Sequence, residues 1–141
     1  MTCAFCAIIT GDADAEIVLR TDHFVAFLDI RPVFAGHVLL VPRQHVTTFE
    51  QLPGELGAEF VTCGQRLERA VETAMGADGS LLIVNNVVSQ SVPHLHLHVI
   101  PRRRRDGLRL WLGPRHPYPS AQQRGDTGRL IRAALDRVDP R

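Results

Sequence analysis

Apolar positions recur along this chain in two different periods. Between Glu55 and Met75, residues Leu56, Phe60, Cys63, Leu67, Val71 and Ala74 return at three- and four-residue steps, which puts them on one stripe of an α-helix. Pro53 stands just before this run and Gly76 just after it, where helices begin and end. A second helical stripe, Leu130, Ile131, Ala134 and Leu135, falls within Thr127–Val138. The other apolar runs are short and rich in Leu and β-branched residues: Glu16–Leu19, Phe24–Ile30, His37–Val41 and Ser80–Val84. Each predicts a strand, with turn signals at Thr21-Asp22 and Ala35-Gly36 and a stop at Pro42.

The fifth strand expected is His94-Leu95-His96-Leu97-His98-Val99-Ile100. Residues two apart in a strand share a face, so the three imidazoles line one side and Leu95, Leu97 and Val99 the other. A helix would scatter them. Buried imidazoles each need hydrogen-bond partners, which makes such a row a costly core and a good site. Five short strands with a long helix before the last two predict an α+β fold. Short turns favour an antiparallel meander of about five strands, with helices on one face. The stretch from Arg102 to Gln123, rich in Pro, Gly and Arg, reads as loop. No repeat or linker interrupts the chain, and one domain over residues 1–141 is expected.

Composition narrows the class. Apolar residues make up 45% of the 141, ordinary for a globular chain. No apolar run is long enough for a membrane span, and Met1–Ile9 lacks the basic start of a signal peptide. An odd count of three cysteines, two of them close together, argues for a reducing compartment, so a cytoplasmic protein is expected. The sixteen basic residues are all Arg. From Arg102 onward eleven Arg face four Asp (+7), against five Arg and eleven acids before it (−6). That basic end favours an anionic substrate or an acidic partner face; for Arg102–Arg105 a solvated tail and helix face is at least as open a reading. Neither a nucleic acid nor a membrane is expected as a partner.

The histidine row suits phosphate chemistry. One neutral imidazole can attack while a neighbour, as cation or donor, meets charge on the non-bridging oxygens. Alternate histidines also chelate metals, but no Asp or Glu lies in the strand or the loop before it to complete a catalytic site. The loop Asn85–Val92 supplies small polar groups just upstream, of which Gln90 and Ser91 could reach a phosphate or leaving group or equally satisfy turn backbone.

The run His94–Ile100 resembles the His-φ-His-φ-His-φ-φ signature of the histidine triad (HIT) family. Phe24–Ile30, Gly36–Pro42 and Gln90-Ser91-Val92 occur in the family's order, over about residues 3–107. Residues 108–141 then make a C-terminal loop and helix. The resemblance implies a HIT-like fold whose sheet continues into that of a partner in a homodimer. It also implies a purine nucleotide substrate cleaved at the α-phosphate. By position, His96 would be the nucleophile, His98 would contact the α-phosphate, His94 would complete the triad and His37 would orient it. Asp29 would accept from the ribose hydroxyls, or merely form a turn before Pro32. Ile30 would lie beside the base, or in plain core. Asn85, Gln90 and Ser91 would hold the phosphate or leaving group, with Ser91 helping to protonate a departing amine. The stretch before Gln90 is about two residues shorter than is common in the family, and Ser89 stands where glycine is usual.

Cys3-x-x-Cys6 has the spacing of two thiolate ligands of tetrahedral zinc and needs two more ligands. By resemblance to bacterial members the set would be Cys3, Cys6, His45 and His94, a structural zinc site separate from the His96 chemistry; no organic cofactor is expected. Cys63 belongs to the helix stripe and reads as core, while His23 and His116 read as surface. Trp111, Pro114, Arg115 and Tyr118 lie beyond the triad, where packing and a reach towards a leaving group are both open. The substrate class implied is a nucleoside phosphoramidate or related adenylyl compound. A dinucleoside polyphosphate is the alternative, and a nucleotide-binding module with vestigial activity the rival from another class.

Overall fold

The computed structural model describes residues 2–109 and 113–138. They form two compact units, one ending at Asp106 and the other starting at Gly107. In the first, β1 (Ile17–Arg20), β2 (Phe24–Leu28), β3 (Val38–Pro42), β4 (Gly79–Val84) and β5 (Leu97–Arg102) form one antiparallel sheet. Its order, β1-β2-β3-β5-β4, corrects the expected meander. The chain leaves β3, runs through α2 (Gly57–Met75) and enters β4 at the far edge. β5 then fills the gap, where Val99 and Ile100 are buried. A strand rich in branched residues on both faces belongs at the centre of a sheet.

Alternation along the strands builds two cores. Phe24, Ala26, Val38, Leu40 and Val99 pack with Phe60, Cys63, Leu67 and Val71 of α2. The intervening residues Val25, Phe27, Leu39 and Val41 pack with Phe5, Ile8 and Ile9 of a helix the sequence pattern did not suggest, α1 (Ala4–Thr10). Helices therefore cover both faces of the sheet and not one. At seven residues and without a side-chain cap, α1 is too short to persist alone. Burial of Phe5 holds it, worth about 1.5–3 kcal/mol.

The triad strand also begins later than its pattern suggests, at Leu97. The His94 N–H turns back to the Val92 carbonyl (2.8 Å) and the Leu95 N–H bonds to the Val46 carbonyl (2.7 Å), so these residues lie outside the ladder. Pro93, which has no N–H, cannot extend it. The sides still alternate. Leu95 is fully buried in the α2-side core, while His94 and His96 turn towards Phe5.

Two further boundaries differ. A 3-10 turn at Gly54–Leu56 precedes α2, and α3 spans Ala121–Leu135, six residues ahead of the expected start. Ser120 Oγ caps α3 by accepting from the Gln123 N–H. The basic run is not a free tail: Arg102 pairs with Asp106, and Arg103 donates to the Met75 carbonyl at the end of α2. Among the described residues no helix is long and apolar enough to cross a membrane.

Candidate active site and metal cluster

Opposite the α2 face, α1, the turn after β2 and the triad enclose a pocket of about 320 Å³. Phe5, Ile8, Phe27 and Leu39 give it apolar walls, and Asp29, Ser91, His96 and His98 give it polar ones. Ile30 also lines it and is 85% exposed, which excludes plain core. Sheet register explains the position of His98: it pairs with Leu39 of β3 and Ile83 of β4, at the middle of the sheet.

The hydrogen bonds of the histidines fix their tautomers. His96 Nδ1 lies 2.7 Å from the His94 carbonyl, which can only accept, so Nδ1 carries the proton and Nε2 keeps its lone pair. His37 Nδ1 accepts from the Val33 N–H (3.1 Å), so in a neutral ring Nε2 holds the proton and donates to His98 Nδ1 (2.9 Å). His98 is thus left with a proton on Nε2. Burial, and then the neighbouring His96 and His37, bring the pKa of His98 down to about 4. Burial likewise lowers His37. The partner that sequence reasoning allowed to be cation or donor is, in the free protein, a neutral donor.

Asp29 forms the turn and also reaches the pocket. Oδ1 accepts from the Arg31 N–H (2.8 Å), a turn-forming bond, and Oδ2 lies 3.7 Å from His37 Nε2 while the residue lines the pocket. Asn85 and Gln90 are not on the pocket wall. The Gln90 amide is engaged with backbone, donating to the Thr47 carbonyl (2.6 Å) and accepting from the Val87 N–H (3.2 Å). It braces a loop in which Val87 and Ser89 have φ of 66° and 61°, left-handed values that glycine adopts more readily. Phe5 and Ile8 were missed as pocket residues because α1 was missed; Arg31, also on the wall, carried no signal beyond its place after Asp29.

A second cluster adjoins the first. Cys3, Cys6, His45 and His94 bring their ligand atoms within 4.8 Å of one another. His94 Nδ1 is 3.5 Å from Cys3 Sγ and 3.6 Å from Cys6 Sγ, and His45 Nδ1 is 3.2 Å from Cys6 Sγ. Tetrahedral zinc with its usual Zn–S and Zn–N lengths requires S···N separations of about 3.6 Å. His94 Nε2 donates to the Pro42 carbonyl (2.8 Å), which leaves Nδ1 as the ligand atom. Burial and the adjacent Cys3 push the Cys6 thiol up, a penalty a divalent cation would reverse. The donor set fits zinc. A second group, Asp29, His37 and His98, is also compact, but its imidazole nitrogens already bond each other. The two centres are not separate: the imidazole of His94 belongs to the cluster, and its carbonyl holds His96.

Cys63 is core, as its stripe implies. His23 is exposed but pairs with Glu59 (2.7 Å). Pro114, Arg115 and Tyr118 lie in the second unit, and Trp111 lies outside the described residues.

Known proteins resemble this chain in sequence and fold. A family model described as the HIT domain matches residues 10–105. The chain is 38% identical to an uncharacterised HIT-like protein of Mycobacterium tuberculosis, covering 99% of this chain and 96% of that one. It is 34% identical to an adenosine 5'-monophosphoramidase of Schizosaccharomyces pombe, over 72% and 75% of the two chains. Among solved structures, a zinc-bound histidine triad family protein of Mycobacterium smegmatis matches with a TM-score of 0.71 at 38% identity, over 97% and 95% of the two chains.

Proposed function

The chain belongs to the HIT family, and on that premise we propose that it is a nucleotide hydrolase or transferase. Its substrate is a purine nucleoside phosphoramidate or a related adenylyl compound, cleaved at the α-phosphate. The observation that carries this reading is the pairing of a lone pair on His96 Nε2 with an N–H on His98 Nε2, both residues lining one pocket. His96 attacks phosphorus, the bond to the leaving group breaks, and a nucleotidyl–imidazole remains until water takes the nucleotide. His98 donates to the oxygens where charge gathers. His37 fixes the tautomer of His98, and Ser91 at the pocket wall passes a proton to a departing amine. Asp29 accepts from ribose and Ile30 covers the base. Gln90 acts through the loop it braces.

Cys3, Cys6, His45 and His94 would hold one zinc ion in a structural role, anchoring α1 to the sheet. The free edge of β4 is the surface on which two chains would join into a homodimer. Free thiols at Cys3 and Cys6 suit the cytoplasm. Residues 1–141 act as one HIT domain, with its core at about 3–107.

The test is intact mass of the wild type and His96→Ala after brief incubation with an amine-linked AMP, quenched without acid because phosphorus–nitrogen bonds are acid-labile. An added AMP on the wild type alone is expected. No added mass and no AMP released would sink the phosphoramidate reading. The same incubation with a diadenosine polyphosphate separates an amine from a phosphate leaving group.

A further inference from the structure

Two residues link the four-residue cluster to the pocket, and neither link is demanded by a site that only ties α1 to the sheet. One is His94. Its ring faces Cys3 and Cys6, while its backbone carbonyl accepts from His96 Nδ1 at 2.7 Å. Any rotation of the 93–95 backbone that moves the ring also moves this carbonyl, and with it the bond that keeps the lone pair on His96 Nε2. The other is Phe5, which sits between Cys3 and Cys6 in sequence. Its ring meets His94 edge-on at 6.0 Å and His96 edge-on at 5.2 Å, and it forms part of the pocket wall. The two thiols thus bracket the residue that packs against the proposed nucleophile.

We infer that metal binding at Cys3, Cys6, His45 and His94 sets the position of His96 and the pocket wall through His94 and Phe5, so that metal and nucleotide bind with positive coupling. This rests on the nucleotide reading of the pocket. Phe5 is then a positioning residue: none of its atoms ligates the metal, but its ring transmits the placement of α1 to His96. Coupling of this kind is reciprocal, because the factor by which metal tightens nucleotide must equal the factor by which nucleotide tightens metal. A merely structural tie has no such factor.

The probes are zinc and AMP. Calorimetric titration of AMP into zinc-loaded and chelator-stripped full-length protein should show at least about tenfold weaker binding to the stripped form. Zinc competition against a chromophoric chelator should show the same factor on addition of saturating AMP. Long-range nitrogen–proton spectra of His96 should report a single Nδ1–H tautomer with zinc and a mixture without it. Phe5→Ala should keep one zinc per chain while the coupling factor falls towards one, and Phe5→Tyr should restore it.

Equal AMP affinity in the loaded and stripped forms, with unchanged His96 signals in a folded chain, would overturn the inference. If neither form binds AMP, the nucleotide reading falls, and the His96 signals alone decide whether the cluster positions that ring. If stripping unfolds the chain, His45→Gln, which removes the one exposed member of the cluster, replaces it in the same comparison. Undiminished AMP affinity and an unmixed tautomer in that variant after loss of zinc would equally refute it.

Discussion

His37 donates from Nε2 to Nδ1 of His98 across 2.9 Å, linking the residue before β3 to the start of β5. The donor role of His98 is therefore set by the Val33 N–H two bonds away, through the ring of His37. Replacing His37 by Phe removes the donor and frees His98 to place its proton on Nδ1, pointing its lone pair at the phosphate. We expect kcat to fall on the order of 10²-fold, the scale for loss of one oxyanion donor, with KM changed much less. His37→Gln, which can still donate an amide proton, should recover part of it. Steady-state kinetics on an AMP phosphoramidate decide; equal losses in both variants would show that the ring matters only for packing.

Neutral buried imidazoles have a consequence for stability. The folded pKa of His98, about 4, lies below the unfolded value of about 6.5, so the unfolded chain binds the proton first. The stabilisation is therefore present above pH 6.5 and is lost progressively as pH falls through 4. Its size is about 2–3 kcal/mol, from the width of that gap with allowance for partial exposure. Urea midpoints should drop between pH 7 and pH 4 in the wild type, and less steeply in His98→Gln. Parallel curves for the two proteins would refute the assignment.

What the sequence disclosed and what it hid divide along physical lines. The triad, the α2 stripe and the Gly-His strand were legible because alternation and helical period are local signals. The order of β4 and β5 was not, because a crossover through α2 leaves no mark in either strand. α1 was hidden because it lacks a polar cap and is held by Phe5, Ile8 and Ile9 packing on strands distant in sequence. Gly125 and Gly128 masked the start of α3, although Ser120 was there to cap it. At the site, residue identities pointed to the histidines, but not to the bond from His96 to the His94 carbonyl. Backbone acceptors carry no sequence signature. For Gln90 the sequence left phosphate and turn backbone equally open, and in the fold its amide bonds the backbone of Thr47 and Val87.

The metal cluster makes a sharp prediction about stoichiometry. Purified protein, or protein supplied with zinc, should hold one ion per chain by elemental analysis. Cys3→Ser and Cys6→Ser should abolish it, whereas Cys63→Ala should leave it intact, because that thiol is sealed in the α2 core. Zinc in thousandfold excess over its dissociation constant should add about 4 kcal/mol to stability through binding to the folded state alone. A thermal melt insensitive to chelator would count against the site.

The free edge of β4 makes the last prediction. Ser80–Val84 pair with β5 on one side, through Leu82↔Val99 and Val84↔Leu97, and β4 ends the sheet on the other. An edge of this kind, with Leu82 exposed, has neither charge nor proline in Gly79–Val84, two of the devices that keep edges single. Pairing with the same strand of a second chain, antiparallel about a two-fold axis, would satisfy its open backbone groups. Light scattering at micromolar concentration should give twice the mass of one chain. Leu82→Lys should shift it towards the monomer, since like charges would then face each other across the two-fold axis. A wild type that scatters as a monomer would rule the joined sheet out, and a Leu82→Lys dimer would move the interface elsewhere.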